Sequence, residues 1–108
     1  MAILITGGTG FLGTALIDSM LKQGHKVYSV SRHAPEPRER LAPLRGDILV
    51  PDFGLREILV HANITAVYHL AAIARLGKDN DGSIWRTNVE GTKNVIDVCL
   101  RYQIPHLL

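Results

Sequence analysis

Four glycines, Gly7, Gly8, Gly10 and Gly13, crowd into TGGTGFLG at 6–13, between an apolar run and a helical pattern. Glycine loses more backbone freedom on folding than any other residue, so the cluster implies work that side chains would obstruct. Three kinds of work fit: a sharp turn out of a strand, backbone contact with a pyrophosphate, and close packing of a helix onto a sheet. A helix starting here offers unsatisfied N–H groups and the positive end of its dipole, which is chemistry for holding an anion. Gly8-x-Gly10-x-x-Gly13 has the spacing of a dinucleotide fingerprint, and Thr6-Gly7-x-x-Gly10-x-x-Gly13 divides the same stretch a second way. Gly8 and Gly13 also have the spacing of a nucleoside-triphosphate loop, but Thr14 stands where that loop requires lysine. The next lysine is Lys22, well along the same helical pattern, which argues against a triphosphate.

About 20 residues past such a fingerprint, a site for NAD places Asp or Glu on the adenosine ribose hydroxyls. Here the residues are Ser31-Arg32-His33. A carboxylate would repel a 2′-phosphate, whereas the Arg32 guanidinium can grip one through paired, charge-assisted hydrogen bonds, with His33 a second contact. The expected cofactor is therefore NADP, with NAD the second choice. Other chemistries find less support. His25, His33, His61, His69 and His106 are scattered, with no metal-ligand spacing to cysteine or acidic partners, so no metal is expected. His69 ends an apolar strand pattern and reads as a packed core residue, and Asp79 and Asp81 as a solvated pair. No nucleophile-elbow motif supports a Ser-His-Asp triad.

The elements that position these residues alternate along the chain. Ala2–Thr6 is a short apolar run suited to a strand buried on both faces. From Phe11 the period changes, and Phe11, Leu12, Ala15, Leu16, Met20 and Leu21 predict an amphipathic helix stopped by Gly24. Lys26–Ser31 predicts a second strand, and Leu41–Arg45 a weak third, held to an edge by Pro43. Between them, Arg32–Arg40 reads as an exposed loop. A turn-rich connection from Gly46 leads to a helix at about 55–62 and a fourth strand at 66–70. A longer helix at about 83–102 carries Ile84, Trp85, Val89, Val95, Ile96 and Cys99 on its apolar side, and Pro105 stops it before a fifth strand opens at His106. Such alternation is the signature of α/β architecture with a parallel sheet. The expectation is one Rossmann-like domain over 1–108, strand order 3-2-1-4-5, with helices on both faces and the fifth strand cut short. In an open sheet of this kind the ligand lies where the strand order reverses, above the glycine loop between the first and fourth strands.

Four separated stretches, TGGTGFLG at 6–13, GDI at 46–48, HLAA at 69–72 and NVEGT at 88–92, resemble the N-terminal part of an extended or atypical short-chain dehydrogenase/reductase. The resemblance covers the whole chain and implies roles residue by residue. Gly7, Thr9, Gly10, Phe11, Leu12 and Gly13 would line the cofactor pyrophosphate. Asp47 would accept from the adenine amine while Ile48 covers the ring. Leu70, Ala71 and Ala72 would pass beside the nicotinamide ribose, and Asn88 would tie the long helix to the fourth strand. Chemistry in that family is hydride transfer assisted by a tyrosine with a lysine four residues later. Here Tyr28 is followed at that place by Arg32, Tyr68 by Ala72 and Tyr102 by His106. No catalytic residue is therefore assigned, and the chain is expected to be an inactive cofactor-binding portion of a larger oxidoreductase. GDILVPDFGL at 46–55 resembles the branch that reduces thioesters and fatty acyl groups; nucleotide-sugar epimerases and dehydratases are the alternative within the superfamily. A non-catalytic NADP sensor is the alternative from another class.

Composition bounds the partners. With 46% hydrophobic and 20% charged residues the chain reads as globular, and its 108 residues suit one domain. Net charge is +2, with the basic residues spread out, so nucleic acid is not an expected partner. No apolar run approaches the roughly 18 residues of a membrane span, and no secretory signal opens the chain. Cys99 alone can form no internal disulfide and reads as a small buried hydrophobe, which suits a cytoplasmic setting. A small-molecule substrate is expected only in the larger protein. The apolar end Leu107-Leu108 is expected to promote self-association through the sheet edge.

Overall fold

The computed structural model describes residues 2–8, 11–32, 37, 40–70, 82 and 85–108, with Phe11 described by its backbone alone. β1 (Ala2–Thr6) has no face left for water. Leu4 points into one core cluster, Ile3 and Ile5 into the other, as the alternation of a strand requires. α1 (Phe11–Lys22) lays Ile17, Met20 and Leu21 on the second of these clusters. β2 (Lys26–Ser31) and β3 (Leu41–Arg45) follow, with the boundaries their sequence predicts. Next come a tight turn at Pro51–Gly54, α2 (Arg56–His61), β4 (Ile64–His69), a wide helical turn at Arg86–Gly91, α3 (Thr92–Arg101) and β5 (His106–Leu107).

The strands form one parallel sheet in the order β3-β2-β1-β4-β5, the order expected from the alternation. β3 lies at an edge, where Pro43, which has no N–H to donate, is tolerated. One core cluster packs Leu4, Val30 and Val67 of the sheet against Phe53, Leu59, Val95 and Val98; the other packs the opposite sheet face against α1. Each such side chain contributes roughly 1.5–3 kcal/mol on full burial.

Three sequence expectations need correction. β4 begins at Ile64 rather than Ala66 and ends at His69. Its register against β1 jumps from Ala2↔Ile64 to Ile3↔Ala66, so Thr65 is an extra residue that interrupts the strand's alternation. The long helix is not one continuous α-helix, because the turn at Arg86–Gly91 closes i to i+5. That wide turn breaks the period. Trp85, Val89 and Ile96, expected on the apolar side, are exposed, while Val98, not expected there, is fully buried beside Val95 and Cys99. Ile84 lies outside the described residues.

The turn at Pro51–Gly54 holds Asp52 and Phe53 in left-handed backbone, with φ of 54° and 55°. Such a conformation costs roughly 1–2 kcal/mol per non-glycine residue. Phe53 offsets it by being 1% exposed. The Asp52 carboxylate accepts from Arg101 Nη1 at 2.8 and 2.9 Å and from the Tyr102 hydroxyl at 3.0 Å, fixing the turn to the end of α3. The carboxylate raises the Tyr102 phenol above its ordinary pKa in addition to the larger effect of burial, with Arg101 opposing both.

Candidate functional site

β1 and β4 are neighbours, and their last residues, Thr6 and His69, face each other in register at the carboxyl ends. Here the strand order reverses, which is where open sheets of this kind bind their ligands, with α1 the next element after β1 and the helical arm Arg86–Arg101 the next described helix after β4. The Leu70 N–H donates to the Thr6 carbonyl at 2.9 Å and extends the pairing one residue past the end of β4.

Gly7 turns the chain out of β1 with φ of 77°, in the left-handed region. Gly13, one turn into α1, leaves no room for a side chain: a Cβ there would overlap the Gly7 carbonyl oxygen and lie 2.7 Å from Gly8 Cα. Two of the three expected glycine roles are thereby located, the turn at Gly7 and the close helix approach at Gly13. A Cβ at Gly8 would lie 2.6 Å from Ser29 Oγ and 2.7 Å from Ile17 Cδ1, so its role is packing. Ser29 Oγ itself is buried with no hydrogen-bond partner among the described residues. α1 has no acidic residue in its first turn to compete with an anion for the N–H groups and the dipole. Leu12 is exposed beside this terminus. Thr9, Gly10 and the Phe11 side chain lie outside the description.

Arg32 directly follows β2, is exposed, and stands at the same carboxyl edge of the sheet; His33 lies outside the described residues. Beyond β3, the Gly46 N–H donates to the Ser31 carbonyl, bringing the GDI segment alongside the end of β2. Asp47 is half-buried and its Oδ1 accepts from the Leu49 N–H at 2.9 Å, which fixes the carboxylate on its own turn. Ile48 is 9% exposed, with its side chain directed into the core against Gly91, where a Cβ would lie 2.6 Å from Ile48 Cδ1. Its carbonyl accepts from Asn94 Nδ2 at 2.7 Å. Leu70 is half-buried beside the α1 cluster, Ala71 and Ala72 lie outside the description, and Asn88 is half-buried in the wide turn.

His69 is placed differently from a packed core residue. Its Nδ1 is 2.7 Å from Thr6 Oγ1 and its Nε2 is 2.9 Å from Thr92 Oγ1. Burial lowers its pKa from the ordinary histidine value. Thr92, which the sequence marks only as the end of NVEGT, and Asn94, which it does not mark, therefore join the helical arm to β4 and to the GDI turn. The burial expected for Cys99 is found, and it raises the thiol pKa. Among the described residues no group of three or more His, Cys, Asp and Glu could hold a metal, and no helix is long and apolar enough to cross a membrane.

The arrangement has parts that suit a dinucleotide: a helix terminus behind a glycine turn, a carboxylate fixed just beyond the end of β3, and a cation at the end of β2. Comparison with known proteins gives the same direction. A family model described as NAD dependent epimerase/dehydratase family matches residues 3–108. A 2-alkyl-3-oxoalkanoate reductase of Stenotrophomonas maltophilia is 38% identical over 110 residues, covering 100% of this chain and 32% of that protein. Among solved structures, a Thermus thermophilus UDP-glucose 4-epimerase in complex with NAD superposes with TM-score 0.80 at 26% identity, over 99% of this chain and 36% of that one. The Bordetella bronchiseptica enzyme WbmG in complex with NAD gives TM-score 0.75 at 32% identity, over 99% and 36% of the respective chains. The chain spans about a third of the length of these relatives.

Proposed function

The chain belongs to the NAD-dependent epimerase/dehydratase family, and from that premise we propose that it is the dinucleotide-binding part of a short-chain dehydrogenase/reductase-type oxidoreductase, with NADP(H) preferred. The observation that carries the reading is the Gly7 turn with Gly13 collapsed against it, feeding an α1 terminus free of acidic residues at the point of strand-order reversal. In this reading Gly7, Thr9, Gly10, Phe11, Leu12 and Gly13 hold the pyrophosphate through backbone N–H groups and close approach. Asp47 accepts from the adenine amine beside Ile48. Leu70, Ala71 and Ala72 border the nicotinamide ribose, and Asn88 steadies the helical arm. When bound, the cofactor supplies a hydride acceptor or donor.

The preference for NADP(H) rests on Arg32, a cation where an NAD site would carry a carboxylate. NAD is the second reading, favoured by the NAD in the solved relatives. Catalysis belongs, on this proposal, to a longer protein. None of Tyr28, Tyr68 and Tyr102 has a lysine four residues later. The oxoalkanoate reductase among the relatives suggests a carbonyl substrate there.

Calorimetric titration of the chain with NADPH and NADH, beside Arg32→Ala, tests both layers. Arg32→Ala should weaken NADPH by about tenfold or more while leaving NADH nearly unchanged, the scale of one lost charge-assisted contact. Equal weakening of both would sink the NADP preference. Binding of neither by the unsubstituted chain would sink the dinucleotide reading.

A further inference from the structure

The carboxyl end of the β1–β4 pair carries a polar connection that the glycine motif does not explain. Thr6 is the last residue of β1 and directly precedes the Gly7 turn. Thr92 opens α3, one residue after Gly91, which rests on Ile48, and two before Asn94, which holds the Ile48 carbonyl. The ring of His69 lies between these two threonines, hydrogen-bonded to both. One imidazole thus joins the turn that would cradle the pyrophosphate to the helix that backs the turn that would receive the adenine.

Resting on the dinucleotide reading above, we infer that His69 is a positioning residue for the cofactor, a clamp that fixes the glycine turn relative to the Asp47–Ile48 turn through Thr6 and Thr92. The chemistry suits a clamp. A neutral imidazole presents one donor and one acceptor nitrogen, and each threonine hydroxyl can act as either, so both nitrogens are satisfied whichever carries the proton. The half-buried setting favours that neutral ring. Thr6, at 0% exposure, is enclosed at the end of β1. A site that binds two ends of one extended ligand depends on their separation, and a rigid spacer between them sustains affinity by removing motion that binding would otherwise have to freeze.

The test is NAD(H) and NADP(H) affinity by calorimetry for the unsubstituted chain, His69→Leu, Thr92→Val, the double variant and His69→Gln, each measured well below its own urea midpoint. Leucine fills the space without bridging, and glutamine retains one donor and one acceptor. His69→Leu and Thr92→Val should each weaken cofactor binding by about tenfold, the double variant by no more than either alone, and His69→Gln should regain most of the loss. A merely structural histidine would lower the midpoint and leave the affinity of the folded molecules unchanged. Unchanged affinity in His69→Leu, additive losses in the double variant, or no rescue by glutamine would each overturn the clamp. Failure of the unsubstituted chain to bind either dinucleotide would instead remove the reading on which the clamp rests.

Discussion

A single methyl group at Gly13 tests whether the glycine turn and α1 are one fitted unit. The added Cβ would collide with backbone, the Gly7 carbonyl oxygen and Gly8 Cα, and backbone cannot rotate out of the way as a long side chain can. Gly13→Ala should therefore cost about 1–3 kcal/mol and lower the urea midpoint, and it should also weaken dinucleotide binding by displacing the α1 terminus from the turn. A midpoint equal to that of the unsubstituted chain would show that the helix simply slides. At this scale the glycines were legible because their roles depend on spacing along a few consecutive residues. The His69 bridge was not. Its partners lie 63 and 23 residues away in sequence, and nothing local distinguishes a histidine that links two threonines from one packed in a core. Asn94, 46 residues from the carbonyl it holds, was hidden for the same reason.

The two longest helices end by one device built from different residues. After α1, Gly24 takes the left-handed position, and the His25 N–H reaches back to the Met20 carbonyl at 3.2 Å. After α3, Gln103 takes that position with φ of 55°, and the Ile104 N–H reaches the Cys99 carbonyl at 2.9 Å while both side chains join the core. The first stop could be read from its glycine. The second is marked in the sequence only by Pro105, which lies after the true end, because glutamine carries no signal for left-handed backbone. Gln103 is exposed, so its replacement loses no packing. Gln103→Gly should stabilise the chain by about 0.5–1 kcal/mol, the relief of left-handed strain less the greater freedom of glycine in the unfolded chain. Chemical denaturation would read this as a higher midpoint at constant slope, and a lower midpoint would overturn it. The mistaken apolar face upstream has a different cause. Periodicity locates a buried face only while the helix keeps one pitch, and the wide turn at Arg86–Gly91 changes the pitch between Trp85 and Val95.

For the molecule as a whole, strand order follows from constraints that act over the entire chain, which is why it was the most legible feature. A buried β1, an edge-bound β3 with Pro43, and helices in the connections from β1 to β2, β3 to β4 and β4 to β5 leave little topological freedom. The same order puts β5 at an edge. On its inner side β5 is well paired, with the Leu108 N–H donating to Val67 and the His69 N–H to Leu108, both at 2.9 Å. On its outer side no strand pairs with it among the described residues, and Leu107 and Leu108 are 41% and 66% exposed. An unpaired edge with exposed apolar side chains is a template for another strand. The 108-residue chain should therefore self-associate, with a light-scattering mass that rises with concentration. Leu108→Lys places a charge on that edge and should return the mass to that of a monomer. The exposed apolar residues of the helical arm, Trp85, Val89, Ile96 and Leu100, offer a competing surface. If Leu100→Lys abolishes association and Leu108→Lys does not, the contact belongs to the helix face, and a monomer mass at all concentrations would remove the edge argument altogether.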